Sequence, residues 1–156
     1  MNSANRRWLS KFLVCGVAIL GGASTLASAA PVIPDPCKLI TTAELEQIVG
    51  RLKGAPKAGD IASGDVSCEY APVKAPSWIN IRLHDGDLSA WRQRNGGKNS
   101  LSLPELGKDA FVNPDFEGSA DLYAKKGGLT LRVSTPNGPG AVDMVKAIAR
   151  LALPRL

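Results

Sequence analysis

Apolar and polar residues alternate along several short stretches of the chain, a pattern typical of β-strands with one buried face. The alternation predicts five strands, over 66–70, 77–84, 109–112, 119–125 and 129–135. Lys126-Gly127-Gly128 separates the last two and favours a tight hairpin. Strands that follow one another through short connections favour an antiparallel sheet.

Three other stretches have apolar residues at helical spacing. The first begins after Thr41, whose hydroxyl and Glu44 form a capping box, and ends at Gly50. Asp87 caps a short second helix that runs to about Asn95. The last helix spans 140–153 and carries one apolar stripe of Val142, Val145, Ile148, Ala149 and Ala152. The element order α-β-β-α-β-β-β-α predicts an α+β, two-layer sandwich: an antiparallel sheet of about five strands with helices packed on one face.

The N-terminus has the three parts of a secretory signal peptide. Arg6, Arg7 and Lys11 precede an apolar run, and small residues follow up to Ala30. The pattern predicts a signal over 1–29, cleaved after Ala29, and a single domain over 30–156. Arg6-Arg7 also resembles a twin-arginine signal, so the general and the twin-arginine export routes both remain open. The apolar run is too short to span a bilayer, and no membrane span is predicted.

Composition gives little reason to expect a nucleic-acid partner. The formal net charge of the whole chain is +5. Without the three basic residues of the predicted signal, 16 basic and 14 acidic residues remain, a net charge of +2. A weakly basic domain of this kind is not typical of nucleic-acid binding proteins.

Two cysteines remain after the predicted cleavage, Cys37 and Cys68. An even number of cysteines in an exported chain predicts a disulfide between them. A cysteine nucleophile would need a histidine partner, and nothing in the sequence brings the single histidine, His84, close to Cys37. Two thiols and one histidine are also too few for a structural zinc site. We therefore predict a disulfide-stapled domain with no metal and no cofactor.

Residue parity sorts the strands into two faces. In 77–84, Ile79, Ile81 and Leu83 oppose a set of polar and aromatic residues. If the strands are neighbours, the polar sets meet on one face that suits an anionic or polar ligand. The candidate ligand-binding residues are Trp78, Asn80, Arg82, His84, Tyr123 and Arg132. The competing interpretation is an ordinary solvated sheet face, which has a similar composition.

No catalytic fingerprint was found, so enzymatic activity is uncertain and no catalytic residue is assigned. The segment His84 to Leu88 has two carboxylates and an imidazole near a glycine, a possible cation site. A turn followed by a helix N-cap explains the same residues.

Four motifs resemble a family of small exported bacterial proteins of unknown function, many of them lipoproteins. They are the start Asp35-Pro36-Cys37 through Glu44, the strand Cys68-Glu69-Tyr70, the segment Leu106 to Phe111 and the hairpin strand Gly128 to Val133. The resemblance covers nearly the whole mature chain. It implies a fold similar to the extrinsic photosystem protein P type and no agreed activity. The chain departs from the lipoprotein members because Val14 precedes Cys15, where a small residue is needed.

From these features we expect a periplasmic or secreted binding or accessory module of unknown ligand. The first alternative is an inhibitor or partner of a cell-envelope enzyme that acts through loops 51–65 and 94–108. The second alternative is a small hydrolase with an unrecognised site. The expected partner is a small anionic or polar ligand or an envelope protein.

Overall fold

The computed structural model describes residues 33–59 and 65–156. The predicted signal peptide and its cleavage site lie outside these residues. Within them the chain forms three helices: α1 (Thr42–Val49), α2 (Leu88–Asn95) and α3 (Ala141–Ala152). The strands are β1 (Lys57–Gly59), β2 (Val66–Tyr70), β3 (Ile79–Asp85), β4 (Leu101–Ser102), β5 (Phe111–Phe116), β6 (Ser119–Lys126) and β7 (Leu129–Pro136).

All seven strands belong to one antiparallel sheet in the order β1-β2-β3-β7-β6-β5-β4. The α+β class and the antiparallel sheet were predicted, and the strand count of about five was low by two. The two missed strands are β1 and β4, which form the edges of the sheet. Both are fully exposed and only three and two residues long, so they have no alternation to detect.

Local signals predicted the other elements, although the strand expected over 109–112 runs from Phe111 to Phe116. Thr41 and Glu44 form the predicted capping box, in which the Thr41 amide donates to Glu44 Oε2 at 2.9 Å. Gly127 and Gly128 both have positive φ and join β6 to β7 in a two-residue turn. Because that turn pairs Lys126 with Leu129, it fixes the register of the whole hairpin.

The core lies on one face of the sheet, which we call the core face. Its central row runs across five strands and is fully buried: Cys68, Ile81, Val133, Leu122 and Val112. α3 packs its apolar stripe against β6 and β7, and α1 packs against α3. Cys37 and Cys68 form the predicted disulfide, with their Cα atoms 5.1 Å apart. It ties the turn before α1 to the core row.

The position of α2 corrects the expectation that the helices share one face. Leu88 and Trp91, one turn apart on α2, pack with Phe111 and Tyr123 in a second, smaller apolar cluster. Tyr123 belongs to the opposite side of β6 from Leu122, so this cluster lies on the other face, which we call the polar face. α2 therefore covers the β5 and β6 end of the polar face and also His84 on β3, and it leaves open the part around Asn80, Arg82 and Arg132.

Candidate functional site

The polar face brings the predicted arginines side by side. Arg82 on β3 is the cross-strand partner of Arg132 on β7, which is in turn the partner of Tyr123 on β6. In the neighbouring row Asn80 pairs with Ser134, and Ser134 pairs with Asp121. Side chains directly opposite each other in an antiparallel sheet are about 4.5–5.5 Å apart at Cβ, so these rows place cations, an amide and a carboxylate in contact range.

A shallow pocket of about 300 Å³ opens over these rows. We call it the arginine pocket. Four of the six candidate residues line it, together with two that the sequence analysis did not select; the full set is Glu69, Trp78, Asn80, Arg82, Arg132 and Ser134. Trp78 is half-buried and lines the pocket wall.

Asp121 holds Arg132, one of the residues that line the pocket, in position. Its carboxylate is fully buried, and Oδ2 accepts a hydrogen bond from Arg132 Nη2 at 2.9 Å. Ser119 Oγ lies 3.3 Å from the same oxygen and also donates to it. A buried charge is tolerated when it is paired and hydrogen-bonded, and here Arg132 supplies the opposite charge. Arg132 is therefore a positioned residue whose guanidinium is held against the sheet.

Arg82 is less constrained than Arg132. Its nearest carboxylate is Asp65, with 4.0 Å between Nη1 and Oδ2, and its side chain is 29% exposed. At that separation the ion pair is at the limit of the usual distance and contributes little to stability. Arg82 is thus the cation of the pocket with most capacity for a further charge-assisted contact.

Several buried polar side-chain atoms of the polar face have no hydrogen-bond partner among residues 33–59 and 65–156. Of six such side-chain atoms in that part of the chain, five lie on the polar face: Arg82 Nε, His84 Nε2, Asp121 Oδ1, Arg132 Nε and Ser134 Oγ. Buried polar groups in folded proteins are usually paired, so a set of this kind requires an explanation. A merely solvated sheet face does not explain it, because these atoms are not in contact with solvent.

The structure separates His84 and Tyr123 from the other four candidates. His84 is 1% exposed, and its ring packs edge-on against Trp91 with 4.2 Å between centroids. Tyr123 is fully buried between Trp91 and Phe111. Both residues have the predicted parity, but α2 covers them. His84 and Tyr123 therefore do not line the arginine pocket in this structure.

Burial also changes the protonation of both residues. Loss of solvent lowers the pKa of His84 below its ordinary value, and the carboxylate of Asp65, 3.7 Å from Nδ1, only partly opposes this effect. The Tyr123 hydroxyl accepts a hydrogen bond from Asn95 Nδ2 at 2.9 Å, and burial raises the pKa of Tyr123 to about 12. At neutral pH both side chains are uncharged and contribute packing to the second cluster.

Asp121 is a residue of the candidate site that the sequence analysis did not select, although it has the parity of the polar face. The sequence does contain the information that Asp121 lies near Arg132. The Gly127-Gly128 turn sets Tyr123 opposite Arg132, and Asp121, two residues from Tyr123 on the same side of the strand, is then diagonal to that arginine. Ser134 follows from the same register as the direct partner of Asp121.

A larger cavity of about 540 Å³ lies between the 72–77 and 135–139 segments and the start of α3. Its lining is mostly proline and aliphatic side chains, with Lys53 and Lys74 as its charged residues. Size alone would favour it as a binding site. We place the candidate site in the smaller arginine pocket instead, because that pocket combines charged, amide and aromatic groups with the set of unpaired buried atoms.

The described ranges contain neither a metal-binding cluster nor a membrane-spanning helix. No group of three or more His, Cys, Asp or Glu side chains in residues 33–59 and 65–156 is arranged to hold a metal ion. In the same part of the chain, no helix has the length and apolar character needed to cross a membrane. Asp87, from the possible cation segment, caps α2 by accepting a hydrogen bond from the Ser89 amide at 2.9 Å.

No family model matches the chain. No curated protein matches it either. Among solved structures, a GTP binding regulator from Thermotoga maritima is similar at 15% sequence identity and a TM-score of 0.40. The match covers 77% of this chain and 93% of that one. This similarity is too low to indicate a shared fold or function.

Proposed function

We propose that the protein is an exported binding module, periplasmic or secreted, that holds a small ligand in the arginine pocket. The observation that carries the proposal is a set of four buried polar atoms, on Arg82, Asp121, Arg132 and Ser134, that have no hydrogen-bond partner among residues 33–59 and 65–156. Three of these residues line the pocket, and Asp121 pairs with Arg132. Ligand sites typically combine an apolar or aromatic surface with a few convergent polar groups. Export rests on the signal-like N-terminus and agrees with the disulfide between Cys37 and Cys68.

The binding proposal is tested by a thermal-shift screen of the purified protein against anionic metabolites and glycan fragments. A genuine ligand raises the melting temperature of the wild type, because it binds the folded state only. Arg82→Ala should abolish that shift while leaving the unliganded melting temperature nearly unchanged. Arg51→Ala is the matched control, since Arg51 is an exposed arginine that does not line the pocket. Equal loss of the shift in both variants would argue against the arginine pocket.

Export has a separate test. N-terminal sequencing of the protein recovered from the extracytoplasmic fraction should begin at Ala30. An intact N-terminus in the cytoplasmic fraction would refute export without bearing on the pocket.

A second candidate function, partner or inhibitor of an envelope enzyme, is favoured by the two edge strands. β1 and β4 lie within the segments 51–65 and 94–108, and both edges are exposed. Leu101 on β4 is 53% exposed, which is unusual for a leucine on a strand. An exposed edge can pair with a strand of another protein. The hydrolase alternative has less support, because the single histidine of the chain is buried under Trp91.

A further inference from the structure

The arginine pocket has features that narrow the chemical class of its ligand. Asn80 and Arg82 on β3, and Trp78 directly before that strand, line the pocket at alternate positions of the chain. Glu69 on β2 is the cross-strand partner of Asn80 and completes the lining on that side. Because alternate residues of a strand are about 6.6 Å apart, the pocket presents an aromatic ring, an amide and a guanidinium over roughly 13 Å.

The charges around the pocket allow one additional negative charge and disfavour a second. Arg132 is already paired with Asp121 at 2.9 Å. Arg82 is only weakly paired with Asp65, at 4.0 Å. Glu69 is exposed, makes no ion pair with any residue in the described ranges, and faces the same space. A single carboxylate on Arg82 gains a charge-assisted contact and meets repulsion from Glu69 as one charge, whereas a phosphate dianion meets about twice that repulsion.

The remaining groups suit hydroxyls and a ring. The Asn80 amide both donates and accepts, and the Glu69 carboxylate accepts, so the pair can hydrogen-bond neighbouring hydroxyl groups. Trp78 offers an apolar ring surface against which the C–H face of a pyranose can pack. At about 300 Å³ the pocket is at the lower end of small-molecule sites, a size that suits one ring.

We propose that the arginine pocket binds a sugar that carries a carboxylate, with the ring on Trp78, the hydroxyls at Asn80 and Glu69, and the carboxylate on Arg82. This inference rests on the proposed function of the pocket and adds the ligand class to it. A small free amino acid fits less well, because it can pair its charges with Arg82 and Glu69 but has no ring to cover Trp78. The open side of the pocket leaves room for neighbouring units, so the sugar can belong to a longer acidic glycan.

The test is an NMR titration of the purified, ¹⁵N-labelled protein, read at the indole N–H of Trp78 and the amide of Ser134. The probes are glucuronate, glucose, inorganic phosphate and glycine. Glucuronate should bind at least about 10-fold more tightly than glucose, because only it makes the charge-assisted contact with Arg82. In Arg82→Ala this preference should fall to about 1, with weak binding of both sugars retained. Arg51→Ala should keep the full preference.

The outcomes of this titration test the ligand class and the location of the binding site independently. Equal binding of glucose and glucuronate in the wild type would overturn the acidic-sugar assignment and leave a sugar site in place. Tighter binding of phosphate or glycine would also overturn the class and keep the pocket as the site. If no probe shifts Trp78 or Ser134, and the ligand found in the thermal-shift screen shifts neither, the class and the proposed pocket are both wrong.

Discussion

Replacing Arg132 should destabilise the fold far more than replacing Arg82, although both arginines line the same pocket. Arg132→Met leaves the carboxylate of Asp121 fully buried, with the Ser119 hydroxyl as its remaining hydrogen-bond donor among the described residues. Removing one partner of a buried ion pair costs about 3–5 kcal/mol, a large part of the ~5–15 kcal/mol that stabilises a typical domain. Arg82→Met breaks only a contact of 4.0 Å at a side chain that is 29% exposed, at a cost of about 0–1 kcal/mol.

The assay is urea unfolding followed by far-ultraviolet circular dichroism, with the free energy of unfolding obtained by linear extrapolation. The double variant Arg132→Met/Asp121→Leu removes both charges and should recover most of the loss, since apolar replacements for both members of a buried pair are often neutral. A loss below about 1 kcal/mol for Arg132→Met would refute the reasoning. So would a double variant that is no more stable than Arg132→Met alone.

Three further predictions concern the core, the disulfide and the pH dependence of stability. Ile81→Ala should lower the free energy of unfolding by about 2–5 kcal/mol in the same urea assay, because Ile81 is fully buried in the core row. The folded variant should bind ligand as tightly as the wild type. A loss of ligand affinity in the folded variant would contradict the separation of the two faces. The Cys37→Ser/Cys68→Ser variant should lose about 3–4 kcal/mol of unfolding free energy, since the disulfide closes a loop across a sequence separation of 31. In mass spectrometry, the non-reduced protein should weigh two daltons less than the reduced one. Two free thiols would contradict the pairing. Stability should fall as the pH drops below about 6.5, because burial lowers the pKa of His84 and the unfolded chain then binds the extra proton. His84→Gln should lack that component of the pH profile between pH 5 and 7.5, and an unchanged profile would exclude His84 as its source.

The sequence predicted most of the fold where the determinants are local. The Thr41–Glu44 capping box and the Gly127-Gly128 turn act over a few residues, and both were placed correctly. Strand parity also sorted Ile81 from Arg82 correctly, because a slip of one residue would bury the charge.

The parts that the sequence did not predict depend on non-local packing. Helical spacing shows that Leu88 and Trp91 share a side of α2, but it does not show which face of the sheet that side contacts. The helix packs on the polar face because Phe111 and Tyr123 are there, and the strand with Phe111 had not been assigned to a face. As a result, His84 was counted as part of an open surface.

The candidate site, like the fold, was predictable only where a local turn sets the contacts. The pairing of Arg82 with Arg132 brings together β3 and β7, which are about 50 residues apart in the chain, and no turn sets that register. The partnership of Arg132 with Asp121 was within reach, because the hairpin turn fixes it. The sequence analysis selected the half-buried Trp78, whereas the carboxylate of Asp121 beside Arg132 is the more buried group of the site.

The location of the ligand is the central claim, and backbone NMR tests it most directly. We expect the ligand with the largest thermal shift, titrated into ¹⁵N-labelled protein, to perturb the amides of the arginine pocket, above all Asn80, Arg82, Arg132 and Ser134. Perturbations confined to the larger cavity around Pro76 and Pro139, or to the edge strand at Leu101, would contradict the account and move the function to those surfaces.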